Sequence, residues 1–104
     1  MKDFLQIETR IVEVLKSIYD PEIPVNIYDL GLIYNVAVDD NRSATITMTL
    51  TAPNCPLADV ILLNVKEGVE AVEGVTGVDI RLVFDPPWSK DMMTEEAMLE
   101  LGFL

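Results

Sequence analysis

The tightest constraint on the fold is a strict alternation of apolar residues and threonines from residue 44 to residue 51. The apolar positions are Ala44, Ile46, Met48 and Leu50, and threonine fills each position between and after them. Successive side chains of a β-strand point to opposite faces, so this period of two predicts a half-buried strand. We expect a sheet that packs helices on one face, while the threonine face meets water or a partner.

The flanking segments complete a predicted sheet of three strands. Residues 32–39 also alternate, and the turn-forming residues 39–42 that follow predict an antiparallel hairpin with the threonine strand. A third strand is predicted with Val78, Ile80, Leu82 and Phe84 facing inward. A crossover helix precedes this strand, which favours a right-handed connection and a mixed sheet.

Helices are predicted on both sides of these strands. Apolar residues recur at spacings of three and four over 3–19 and 58–74, and Pro21 is expected to end the first helix. Thr94 followed by two glutamates predicts the capped start of a last helix, which Gly102 can close. The order α-β-β-α-β-α predicts an α/β (α+β) fold, as a single two-layer domain over residues 1–104 with helices on one face of a small mixed three-stranded sheet.

Composition excludes several function classes. Seven Lys and Arg against 18 Asp and Glu give 7 − 18 = −11, with no histidine and one cysteine. A triad that needs histidine, an internal disulfide and a four-thiolate metal site in one copy are therefore excluded. The negative charge disfavours nucleic acid and anionic membranes as partners. Because there is no signal peptide or long apolar run, we expect a cytoplasmic protein.

Cys55 is the first candidate for chemistry. Proline is favoured at the first position of a helix, so Pro56 predicts that Cys55 caps the helix that follows. The free N–H groups and the helix dipole at that position favour the thiolate, which is the form that binds metals and attacks electrophiles. A buried and inert cysteine is the alternative, and from spacing alone the two interpretations stay open.

The second candidate is the proline-containing loop from residue 20 to residue 31. Its acids Asp20, Glu22 and Asp29 lie on stiffened backbone, as a hard-cation site or a general base would require. The alternative is structural: these carboxylates, and Asn26 with them, satisfy backbone N–H groups within the loop. The residues alone favour the structural interpretation.

The third candidate is the loop from residue 85 to residue 93. Pro86 and Pro87 stiffen the exit from the last strand and fix Trp88 in place. Trp88, Met92 and Met93 are side chains enriched in interface cores, which predicts a surface for partner contact. The same residues could instead close the hydrophobic core, and for at least one of them that alternative is favoured.

These three loops, in this order, resemble the SufT-like family of metal-sulfur cluster assembly proteins. The resemblance rests on Asp20-Pro21-Glu22 with Asn26 and Asp29-Leu30-Gly31, on Thr49-Leu50-Thr51 with Cys55-Pro56, and on Pro86-Pro87-Trp88 with Met92. It extends to the phenylacetate-pathway assembly protein PaaD and to eukaryotic cytosolic iron-sulfur targeting factors. It implies an auxiliary role in iron-sulfur protein maturation, with Cys55 as the reactive residue, Asp20, Glu22, Asn26, Asp29 and Thr51 in support, and the tryptophan loop as contact surface. The PaaD-type cysteine-rich C-terminal extension is absent, so we expect no link to phenylacetate metabolism.

One thiolate per chain narrows the mechanism that this resemblance implies. Iron-sulfur clusters usually take four protein ligands, so no permanently bound cofactor is expected. Cys55 would hold iron or a cluster transiently, or a homodimer would supply two thiolates, and the partners would be the assembly machinery and recipient apoproteins. A non-catalytic adaptor and a small enzyme with Cys55 as nucleophile remain alternatives, although without histidine no obvious base serves an enzyme.

Overall fold

The computed structural model describes residues 4–19, 24–50 and 58–102. Three α-helices and three strands follow in the predicted order: α1 Phe4–Leu15, β1 Ile33–Val38, β2 Ser43–Met48, α2 Ala58–Glu70, β3 Gly77–Leu82 and α3 Glu95–Glu100. A short 3₁₀ helix, Lys90–Met92, precedes α3 in what the sequence predicted as loop. The α+β fold class is confirmed.

The strands form one mixed sheet in the order β1-β2-β3. β1 and β2 pair antiparallel, with Val36 opposite Ile46, whereas β2 and β3 pair parallel, with Ile46 opposite Ile80. Arg42, at φ 63°, turns the hairpin, and the carboxylate of Asp39 accepts the N–H group of Ser43 at 2.9 Å. The predicted hairpin and the predicted mixed sheet are therefore both confirmed.

The core lies between the sheet and the first two helices. The alternating residues of the threonine strand decide its position, since Ala44, Ile46 and Met48 are fully buried. The helices contribute residues at helical spacing, and the segment before β1 adds more apolar side chains. These helix and loop residues are Ile7, Ile11, Leu15, Val25, Ile27, Leu30, Leu32, Ile61, Val65, Val69 and Val72.

The first helix ends earlier than the sequence predicted. α1 stops at Leu15 and not near Tyr19, because the N–H groups of Ser17 and Ile18 bond to carbonyls three residues back, at Val14 and Leu15. The Ser17 hydroxyl also donates to the Val14 carbonyl at 2.6 Å, which favours this tighter turn. Tyr19 instead forms an isolated β-bridge with Asn26, which closes the loop between them.

Three side chains differ from their predicted environment. Thr49 was assigned to the polar face but is fully buried, because it lies beyond the end of β2, where its N–H group bonds to the Leu32 carbonyl at 2.8 Å. Leu82 and Phe84 were assigned inward but are 37% and 41% exposed. They lie at and beyond the end of β3, an outer strand of the sheet, where core contacts thin out.

The C-terminal segment behaves as predicted around its last helix. The Thr94 hydroxyl caps α3 by accepting the Ala97 N–H group at 3.2 Å, and Gly102, at φ +80°, follows its end. The peptide bond between Asp85 and Pro86 is cis. Across the described residues, no helix has the length and apolar character needed to cross a membrane.

Candidate functional site

The candidate residues divide between described and undescribed parts of the chain. Cys55, Asp20, Glu22 and Thr51 lie outside the described residues, so their roles stay predictions. The structure does describe Asn26, Asp29, Pro86, Pro87, Trp88 and Met92. It also describes the two residues that flank the cysteine segment, Leu50 at the end of the threonine strand and Ala58 at the start of α2.

Asn26 and Asp29 close a compact turn on each other. The Asn26 side chain donates through Nδ2 to Asp29 Oδ2 at 2.8 Å, and its Oδ1 accepts the Asp29 N–H group at the same distance. Asn26 is 9% exposed, so its amide must be paired, and both its donor and its acceptor are used here. The structural interpretation of this loop therefore holds for Asn26, while one carboxylate oxygen of Asp29 is already engaged.

The tryptophan loop packs onto this turn. The Trp88 indole donates through Nε1 to the Leu30 carbonyl at 2.7 Å, and the ring is half-buried against the hydrophobic core. Its neighbours Pro86 and Pro87 are exposed. Trp88 thus helps to close the core, as the alternative prediction held, and the two prolines remain available at the surface.

Two further contacts hold the C-terminal segment against the same turn. The Thr94 N–H group bonds to the Asp29 carbonyl at 2.9 Å. Gly31, at φ +85°, lies so close to Met92 that a Cβ atom there would meet the Met92 backbone. The segment from Trp88 to Thr94 is therefore fixed on the 26–31 turn at several points, although the two loops are distant in sequence.

Tyr34 belongs to this cluster, although the sequence analysis treated it only as a strand residue. Its hydroxyl donates to the Pro86 carbonyl at 2.7 Å and lies 3.6 Å from the sulfur of Met92. A bulge between Ile33 and Asn35 interrupts the strand register here. Nothing in the alternating pattern signals that bulge, so Tyr34 could not have been placed beside Pro86 in advance.

Tyr34, Pro86 and Met92 line a shallow apolar depression together with Gly31 and Ile33. A surface of this kind suits contact with another protein better than binding of a small polar substrate. In residues 4–19, 24–50 and 58–102, no group of three His, Cys, Asp or Glu side chains could hold a metal ion. Chemistry with iron therefore has to involve the cysteine segment or a partner.

Comparison with known proteins decides the family. The model of a family described as iron-sulfur cluster assembly protein matches residues 8–80. The chain belongs to the iron-sulfur cluster assembly protein family. A Porphyromonas gingivalis protein named Fe-S protein maturation auxiliary factor is 65% identical over 102 residues, which cover 98% of this chain and 97% of that protein. The SufT-like resemblance is confirmed by a Staphylococcus aureus relative named Fe-S protein maturation auxiliary factor SufT, 39% identical over 82% of this chain and 97% of its own length.

Structural comparison confirms the fold of this family member. A solved Bacillus anthracis structure of a domain of unknown function, DUF59, has a TM-score of 0.88 and 38% identity, covering 94% of this chain and 93% of the other. The PaaD-like resemblance is also supported, by an Escherichia coli protein whose name places it in a 1,2-phenylacetyl-CoA epoxidase. It is 36% identical over 81% of this chain and 50% of its own length. These relatives support a role for the chain in iron-sulfur protein maturation.

Proposed function

We propose that the protein is a cytoplasmic auxiliary factor that carries or targets iron or iron-sulfur clusters to recipient apoproteins through Cys55. The family match over residues 8–80 supports the role, because this range contains the chain's single cysteine. Iron and cluster are cargo in this proposal and not a resident cofactor, since one chain offers one thiolate where a cluster usually needs four ligands. The assembly machinery and the recipient complete the ligand set during transfer.

The described flanks of the cysteine segment are compatible with a thiolate at a helix start. α2 is in place from Ala58, three residues after Cys55, and Asp59 lies in its first turn. Backbone N–H groups at a helix N-terminus act on a capping thiol at contact distance, whereas distant acidic residues are screened beyond about 10 Å at ordinary ionic strength. The helix end therefore favours the thiolate despite the net charge of −11.

The 26–31 turn and the tryptophan loop serve as contact surface for the recipient in this proposal. The apolar depression of Gly31, Ile33, Tyr34, Pro86 and Met92 supports it, because its side chains are held by hydrogen bonds and close contacts before any partner arrives. A preformed surface loses less conformational entropy on binding. No step in this role requires catalysis by the protein itself, so we propose that it is not an enzyme.

The test is anaerobic reconstitution with ferrous iron and sulfide, followed by delivery to an apo-recipient whose activity requires a [4Fe–4S] cluster. Wild type is compared with Cys55→Ser and with Asn64→Ser, a control on the exposed face of α2. Loss of delivery in Cys55→Ser alone supports transfer through the thiol. Equal delivery by all three proteins overturns it and leaves an adaptor role, which a pull-down of the recipient with Met92→Ser would then test.

A further inference from the structure

β3 presents an open edge of the sheet, Gly77–Leu82. Among the described residues it pairs with β2 alone. Its direction of hydrogen bonding follows from the next residue, because the Val83 N–H group bonds to the Met48 carbonyl on β2 at 2.8 Å. Backbone groups alternate in direction along a strand, so those of Val78, Ile80 and Leu82 point away from β2. Three residues thus offer unpaired donors and acceptors along one edge.

This edge has none of the usual protection against pairing. It contains no proline and no bulge, whereas the other outer strand, β1, carries a bulge between Ile33 and Asn35. Proteins normally block such an edge with proline, bulges or charges, because an open edge recruits further strands. The only charged residues on β3 are Asp79 and Arg81, which are of opposite sign.

The two charges make the edge complementary to itself. The Asp79 and Arg81 side chains are 60% and 68% exposed, and they pair with each other at 3.3 Å within one strand. If two copies of β3 run antiparallel about Ile80, Asp79 of each copy faces Arg81 of the other. Directly opposite ion pairs stabilise an antiparallel pair, and like charges in the same place destabilise it.

We propose that two copies of this chain associate through β3, antiparallel and centred on Ile80, into a continuous six-stranded sheet. The outward-pointing groups of Val78, Ile80 and Leu82 then form the hydrogen-bonded pairs, and the charged residues form the closer non-hydrogen-bonded pairs. Leu82, 37% exposed in one copy, lies opposite Val78 of the other copy on the apolar face. The same patch serves both copies, as a twofold interface requires.

Net charge opposes this association without preventing it. Each copy carries −11, but charges separated by more than about 8 Å are largely screened at 0.15 M ionic strength. A single pair of six-residue strands is a small interface, so the dimer is weak and depends on protein concentration. The β3 pairing and the Cys55 proposal use different parts of the chain and stand or fall separately.

Sedimentation velocity of the full chain from about 10 μM to about 1 mM tests the association at the affinities expected of a weak interface. Asp79→Arg and Arg81→Asp each turn both cross-strand attractions into repulsions, and each should weaken dimerisation about 10- to 100-fold. An equimolar mixture of the two variants should dimerise again, because every Arg then faces an Asp. A misfolded variant would not be rescued in this way, so the mixture separates pairing from folding.

Amide hydrogen exchange gives an independent readout. Exchange at Val78, Ile80 and Leu82 should slow as protein concentration rises, while exchange at exposed α2 amides of the first turn stays unchanged. A chain that remains monomeric at about 1 mM overturns the proposal, as does a dimer that both charge variants leave intact. Failure of the variant mixture to associate, when wild type does associate, also overturns it.

Discussion

Replacing Gly31 by alanine tests whether the C-terminal segment is held on the 26–31 turn. Gly31 adopts φ +85°, a region that residues with a side chain occupy at a cost of about 1–2 kcal/mol. An added Cβ would also press on the Met92 backbone and lie 2.8 Å from the Met92 Cβ atom. The substitution therefore combines backbone strain with displacement of the segment.

The magnitude follows from what that displacement breaks. Moving Met92 away pulls on the hydrogen bond between the Thr94 N–H group and the Asp29 carbonyl, and on the buried side chain of Met93. A lost hydrogen bond removes about 1 kcal/mol, and partial exposure of an apolar side chain removes a similar amount. Together with the backbone strain, Gly31→Ala should lower the free energy of unfolding by about 3 kcal/mol.

Gly102→Ala is the matched control. Gly102 has nearly the same backbone conformation, φ +80°, but an added Cβ would meet nothing within 4 Å. It should lose only the strain of about 1–2 kcal/mol. In urea titrations followed by far-UV circular dichroism, the two variants should differ by about 2 kcal/mol, or about 10 °C in Tm. Equal destabilisation would refute the conclusion that the Met92 contact fixes the segment.

Two other substitutions probe the same cluster. Asn26→Asp removes the amide donor and places a second carboxylate beside Asp29, and it should destabilise the protein by about 3 kcal/mol at pH 7 in urea titrations. Like-charge repulsion raises the pKa of the new carboxyl in the folded state, so the loss should shrink as pH falls through that raised value. Trp88→Phe keeps an aromatic ring but removes the donor to the Leu30 carbonyl, and it should lower the free energy of unfolding by about 1 kcal/mol.

Controls for these two substitutions use exposed residues of the same or a similar type. Asn64→Asp on α2 should change the free energy of unfolding by less than about 0.5 kcal/mol and show no recovery at low pH. Tyr19→Phe, at a side chain that is 56% exposed, should be similarly small. A pH-independent loss in Asn26→Asp would contradict the role given to Asp29, and a Trp88→Phe variant as stable as wild type would contradict the role of the indole bond.

The sheet could be predicted because its pattern admits one solution. The alternation at Ala44, Ile46 and Met48 fixes which face is buried, since a slip of one residue would bury threonines instead. Arg42 supplies the turn and α2 supplies the crossover, so strand order followed as well. Each of these signals is local in sequence and strong.

Strand and helix ends were less predictable, because tertiary contacts decide them. The apolar spacing of α1 continues to Ile18, yet the helix yields to a tighter turn after Leu15 and the chain then bridges from Tyr19 to Asn26. Leu82 has the same alternating position as the buried Ile46 but lies on an outer strand. Periodicity shows which face is apolar and does not show how far the covering helices reach.

The candidate site was predictable by residue and less so by geometry. The sequence singled out Asn26, Asp29 and Trp88, and the structure brings their loops together through backbone atoms of Leu30 and Asp29. Contacts made by backbone carbonyls leave no mark on residue type. For the same reason Tyr34, whose hydroxyl bonds to the Pro86 carbonyl, emerged only from the structure.

The measurement that tests the central claim most directly is the initial rate at which an apo-[4Fe–4S] recipient regains activity with the reconstituted protein. Wild type and the Asn64→Ser control should reactivate the recipient at the same rate. Cys55→Ser should be slower by at least about 10-fold, as expected when a metal-binding group is weakened. Equal rates for wild type and Cys55→Ser would contradict transfer through Cys55.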